Sequence, residues 1–231
     1  MKKTLWIAMV GALVASVVAA SAQTEVLSAN AVGYIKKSLP AGGDLVAMSI
    51  PLDSMTETNI VFGRTSVAQE APVGATVSFW DEGAQVWIGG LKSTKGWQPG
   101  QSNKVIAAGE GFFLKGAVAA VDPIDVTITG EVPPDGTIPR AIVGGGTLGI
   151  LANPYPVDFK FGESDLAQQA SVGSTVSFWD EVNQVWVGGL KSTKGWQPGQ
   201  SNKVVAAGES FFLREPASGM TWNAAKPYTW P

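Results

Sequence analysis

The sequence predicts an all-β chain of two tandem, sandwich-like units, and three observations carry that expectation. Residues 71–114 return as residues 170–213 with 37 of 44 positions identical, the exceptions being Pro72/Ser171, Ala75/Ser174, Gly83/Val182, Ala84/Asn183, Ile88/Val187, Ile106/Val205 and Gly111/Ser210. Apolar residues within this block alternate with the period of a strand. Glycine, tryptophan and β-branched residues are abundant while only 15% of the chain is charged, a mixture that suits strands joined by tight turns and not disorder. One folding unit used twice, arising from an internal duplication, accounts for the pattern.

Residues 1–22 read as a cleaved secretory signal: Lys2 and Lys3, a short apolar run rich in small residues, then Ala20-Ser21-Ala22 before Gln23. The run lacks the ~20 strongly apolar residues of a membrane span. The expected location is therefore periplasmic, cell-surface or extracellular, with no transmembrane segment in the mature chain. Residues 23–32 form an N-terminal extension. Unit one spans about residues 33–130, a linker rich in proline occupies 131–135, and unit two spans about 136–231. The flanks of the repeat support these bounds: Gly33, Ile35, Leu39, Gly42, Gly43, Leu45 and Pro51 fall on Gly136, Ile138, Ile142, Gly145, Gly146, Leu148 and Pro154 at one offset of 103. From Gly74 onward the offset is 99.

Within unit one, Val77 and Phe79 face one way and Thr76, Ser78 and Trp80 the other. A break at Asp81–Ala84 precedes Gln85–Ile88, which predicts a hairpin with Trp80 opposite Trp87 and Phe79 opposite Ile88. Asn183 in the second copy of the turn suits a turn position. Lys92–Lys104 reads as a loop around Trp97, with Lys92, Lys95 and Lys104 as its solvated charges. Val105–Leu114 is apolar on both faces and reads as one central strand; Val126–Thr129 reads as another. Outside the signal, helical periodicity is confined to Glu163–Gln169.

The combination of Asn30-Ala31-Val32-Gly33-Tyr34, a Gly-Gly-x-Leu strand ending in Pro, "SFWDE" and "AAGEGFFL" resembles a group of uncharacterised secreted proteins of the Planctomycetes and Verrucomicrobia type. The resemblance covers nearly the whole mature chain. It implies a secreted, β-rich, non-enzymatic protein and supplies no catalytic residues.

The chain has no histidine and no cysteine, which removes the commonest general base, the thiol nucleophile, the usual transition-metal ligands and any disulfide framework. No metal, no cofactor and no catalytic residue are expected. The mature chain has 14 basic and 19 acidic residues, a balance that argues against nucleic acid as a partner. Carboxylate chemistry is what remains for an enzyme, in the manner of glycosidases. Its candidates are Asp81, Glu82 and Glu110, repeated as Asp180, Glu181 and Glu209. Asp81 and Glu82 suit an ordinary hairpin turn, and Glu110 a buried, structurally paired acid. Asp122 and Asp125 lack the dense oxygen-rich loop of a calcium site and read as a solvated turn.

Tryptophan carries the strongest signal. Trp80, Trp87 and Trp97 return as Trp179, Trp186 and Trp196, and planar aromatics exposed on a β-face stack on sugar rings. The competing reading has this face covered by the Trp97 loop or by the other unit, as a second core layer. The sequence thus points first to a non-catalytic, exported structural protein that associates with itself head to tail. The alternative is a carbohydrate-binding protein with duplicated tryptophan platforms. In the first reading residues 23–32 and the tail Tyr228-Thr229-Trp230 are available to join neighbouring copies.

Overall fold

The structure, a computed structural model, describes residues 31–134 and 136–229. The expected signal, residues 23–30 of the extension, Asp135 of the linker and Trp230 lie outside the described residues.

Alternation in the sequence sets the strands, and the same succession occurs twice. The first half contains β1 (Val32–Leu39), β2 (Leu45–Ser49), β3 (Ile60–Val61), β4 (Thr76–Asp81), β5 (Val86–Ser93), β6 (Gly96–Trp97), β7 (Val105–Ile106), β8 (Gly111–Lys115) and β9 (Ile124–Glu131). The second contains β10 (Thr137–Ile142), β11 (Leu148–Ala152), β12 (Phe159–Lys160), β13 (Thr175–Asp180), β14 (Val185–Ser192), β15 (Gly195–Trp196), β16 (Val204–Val205), β17 (Ser210–Arg214) and β18 (Met220–Ala225). Five strands form one sheet in each unit, in the order β2-β8-β4-β5-β6 and β11-β17-β13-β14-β15. A long ribbon, β1–β9 or β10–β18, faces it. The class is all-β, and among the described residues no sheet closes into a barrel.

Trp80 stands opposite Trp87 and Phe79 opposite Ile88 in the β4–β5 hairpin, the register that alternation predicts. Sheet residues Met48, Val77, Phe79 and Phe112 share one buried cluster with Leu39, Val126 and Ile128 of the ribbon, which is the sandwich-like core. Phe62 and Val67 from a connecting turn and helix close its side. Unit two repeats this arrangement around Phe161, Leu166, Phe178 and Phe211. The helix Asp165–Gln169 falls inside the one segment with helical periodicity, and the Ser164 hydroxyl caps it by accepting from Ala167 N at 3.2 Å.

Two sequence expectations need correction. Val105–Leu114 is not one strand: it breaks into β7 and β8, because Gly109 takes φ +73° and the Glu110 carboxylate accepts a bond from Ala107 N at 2.9 Å, fixing a turn. The strand after that turn is central, between β2 and β4, and buried. Lys92–Lys104 is not an open loop. It holds β6 and the short helix Pro99–Ser102.

The two units meet through their sheets, related by an approximate twofold axis. Trp80 Nε1 donates to Leu148 O at 2.7 Å, and Trp179 Nε1 donates to Leu45 O at 2.9 Å. Ser49 N bonds Gly208 O and Ala152 N bonds Gly109 O, each at 2.9 Å. Ala47, Phe113, Ile150 and Phe212 form the buried centre. Near the axis β8 and β17 approach so closely that a Cβ on Gly111 would lie 2.4 Å from Ser210 Cβ and 2.8 Å from Ile150 Cγ1. Equivalent surfaces therefore face each other, which is an isologous, closed contact. A head-to-tail contact would instead pair different surfaces. The contact between the units leaves no copy of itself free to propagate.

Candidate functional site

The six repeated tryptophans fall into three equivalent pairs. Trp97 and Trp196 close their own cores: each indole N–H donates at 2.9 Å to a helix carbonyl, Ala68 O or Ala167 O, and each ring meets Phe62 or Phe161 edge-on. Trp80 and Trp179 are half-buried at the join between units. Trp87 and Trp186 remain 40% and 38% exposed. Trp80 and Trp87 are T-shaped, 5.1 Å apart and inclined by 65°, so they offer no shared flat face for a sugar. Both exposed indoles contact the same two phenylalanines, Phe113 and Phe212. They thus form one composite patch astride the axis, in place of two separate platforms.

The acidic candidates gather in two equivalent clefts where the units meet. The first, of about 420 Å³, is lined by Trp80, Asp81, Glu82, Ile88, Lys104, Glu110 and Arg140. The second, of about 500 Å³, is lined by Trp179, Asp180, Glu181, Val187, Lys203, Glu209 and Lys37. Arg140 comes from unit two and Lys37 from unit one, at corresponding positions, so each unit completes the other's cleft.

Within the clefts the carboxylates are engaged. Glu110 and Glu209 are ion-paired at 2.8 Å with Lys104 and Lys203, while their second oxygens hold the N–H groups of Ala107 and Ala206 at 2.9 Å. Glu82 meets Arg140 at 2.5 Å. Burial raises the Glu82 carboxyl above its ordinary value, and Arg140 offsets part of that rise. Glu181 shifts the same way, again chiefly by desolvation. Asp81 and Asp180 do what turn aspartates do, accepting from the N–H groups two and three residues on in their own turn at 2.9 to 3.0 Å. An acid with a raised pKa beside a second carboxyl group has the outline of a glycosidase pair. Here that second group, Glu110 or Glu209, has both oxygens committed.

The loop lysines differ from the solvated charges expected of Lys92 and Lys104. Lys92 Nζ donates to the carbonyls of Ala68, Gln69 and Ala71 at 2.6 to 2.8 Å, ending a helix, and burial lowers its pKa. Lys104 pairs with Glu110 over the Phe79 ring. Asp125 pairs with Lys36 at 2.6 Å. Tyr228, expected to reach a neighbour, docks within its own chain: its hydroxyl donates to Pro133 O at 2.9 Å, its ring meets Tyr155, and burial pushes its pKa up to about 12.

Gln85 and Gln184 escaped the sequence reading. Both sit at positive φ, +56° and +53°, and their amides bond both backbone groups of Leu148 and Leu45 on the opposite unit. A signal existed, since the preceding turn changes at Gly83/Val182 and Ala84/Asn183 while this glutamine stays. Among the described residues no helix is long and apolar enough to cross a membrane. No family model, no curated protein and no solved structure matches the chain.

Proposed function

We propose that this protein is a non-catalytic structural component of the cell surface or of an extracellular assembly, exported and associating with further copies of itself. The observation that carries the reading is a pair of exposed apolar strips, Val86-Trp87-Ile88 with Leu91 and Val185-Trp186-Val187 with Leu190. Every one of these side chains is 38–49% exposed. Apolar surface gathered this way on a folded chain marks a contact site. The structural engagement of Glu110 and Glu209 supports the non-catalytic half of the proposal.

A second reading, polysaccharide binding, is favoured by the composite Trp87–Trp186 patch alone. Electron microscopy and light scattering of the exported protein, with and without added β-glycans, test both. Filaments, sheets or rings in the absence of glycan support the structural reading. A monomer at high concentration whose tryptophan fluorescence shifts with glycan replaces it with the second.

A further inference from the structure

Strand edges are the places where a β-protein joins another chain unless something blocks them. In this molecule they are treated unequally. The outer edge of β2 is covered by unit two, since Leu45 bonds the Gln184 amide and the Trp179 indole, and Ser49 N bonds Gly208 O. The β9 edge is covered by Asp53, Ser66 and Glu70. The ribbon edges at β1 and β10 carry Lys36 and Lys37, and Pro139 and Arg140, the charges and proline that discourage pairing.

β5 has no charge, no proline and no covering strand between Val86 and Leu91, and its protection there is the Gln101 side chain over Gly89 and Gly90. It pairs with β4 along one side and with β6 only at Lys92 and Ser93. On the outer side the Gln101 amide reaches Gly89 O at 2.9 Å, and among the described residues no strand lies there. The stretch VWIGGL has neither charge nor proline, and its four large side chains are each at least 40% exposed. β14 repeats the arrangement as VWVGGL.

We infer that these two edges are docking strands whose occupant is the equivalent edge of a second copy, added antiparallel so that two sheets become one across the contact. The inference rests on the self-associating structural reading and names its surface. Antiparallel self-pairing is favoured by charge. The acidic turn Asp81-Glu82 lies at the Val86 end of the strand and Lys95 at the other, so antiparallel strands bring opposite charges together and parallel ones would bring like charges together. The paired glycines, Gly89-Gly90 and Gly188-Gly189, carry the Gln101 and Gln200 side chains over the middle of each edge, and a second strand must turn these two amides aside to pair there. One such contact closes a dimer; two per chain extend into a linear polymer.

The test is edge blocking in the full exported chain. Val86→Lys with Ile88→Lys charges one edge, and Val185→Lys with Val187→Lys charges the other. Light scattering should show polymers for the parent, dimers when one edge is blocked and monomers when both are. Near-ultraviolet circular dichroism from the buried aromatic join reports whether the fold survives. Should the lysine pairs unfold the chain, single Ile88→Glu and Val187→Glu substitutions at these half-exposed positions give the same readout. A doubly blocked, folded chain that polymerises like the parent overturns the edge inference and leaves self-association to another surface. A parent that stays monomeric overturns both.

Discussion

Glu82 lies where burial pushes its carboxyl above the ordinary value of 4.5 and the Arg140 guanidinium pulls it partly back. A carboxyl whose folded pKa is raised binds its proton more tightly in the native state. Stability is therefore greatest below the unfolded value and falls as pH rises from about 4.5 through the raised folded value. Glu82→Gln should remove that fall. Urea unfolding at pH 4 and pH 7 checks it: the variant should gain on the parent at pH 7, and an identical gap at both pH values would refute the shift. At this scale the sequence was partly legible. Alternation alone placed Trp80 opposite Trp87, because neighbouring strands force their side chains into register. Gln85 was hidden, since its backbone takes a left-handed conformation and its partners at Leu148 lie 63 residues away.

The central strands β8 and β17 show what a close crossing demands of its residues. Gly111 is one of the seven positions at which the repeated block differs, and its counterpart is Ser210. The axis between units runs near this pair, so two side chains there would collide. Gly111→Ser should destabilise the chain by about 1–3 kcal/mol, the usual cost of overpacking a closed core. Ser210→Gly, which only relieves the contact, should cost less; thermal or urea unfolding of the two variants decides it, and equal losses would count against the crossing. The sequence predicted the centrality of this strand from its apolar character on both faces. It did not predict the break at Ala107–Glu110, because a glycine at positive φ and a carboxylate bound back to its own turn leave no mark on hydrophobic periodicity.

The largest feature, the twofold join, left the weakest trace in the sequence, since every contact in it spans the two halves. The hydrogen-bonding groups at its centre are nevertheless present in unit one, in Trp80, Gln85, Leu45, Ser49 and Gly109, as is the apolar Phe113. Residues 31–134 alone should therefore form a homodimer that reproduces the join, with Gly111 facing Gly111. Residues 136–231 should associate less readily, because Ser210 would face Ser210. Size-exclusion chromatography with light scattering distinguishes the outcomes, and a monomeric first unit would show that the join depends on the linker raising the effective concentration of one half around the other.

The same axis also removes direction from anything built of this chain. Its two exposed hairpins are nearly interchangeable, differing within the strip only at Ile88 and Val187. A row of copies joined hairpin to hairpin reads the same from either tip, and both tips should gain and lose subunits at one rate. Growth from a single pole, or a fibre that tells its base from its end, would need a second component to mark one tip.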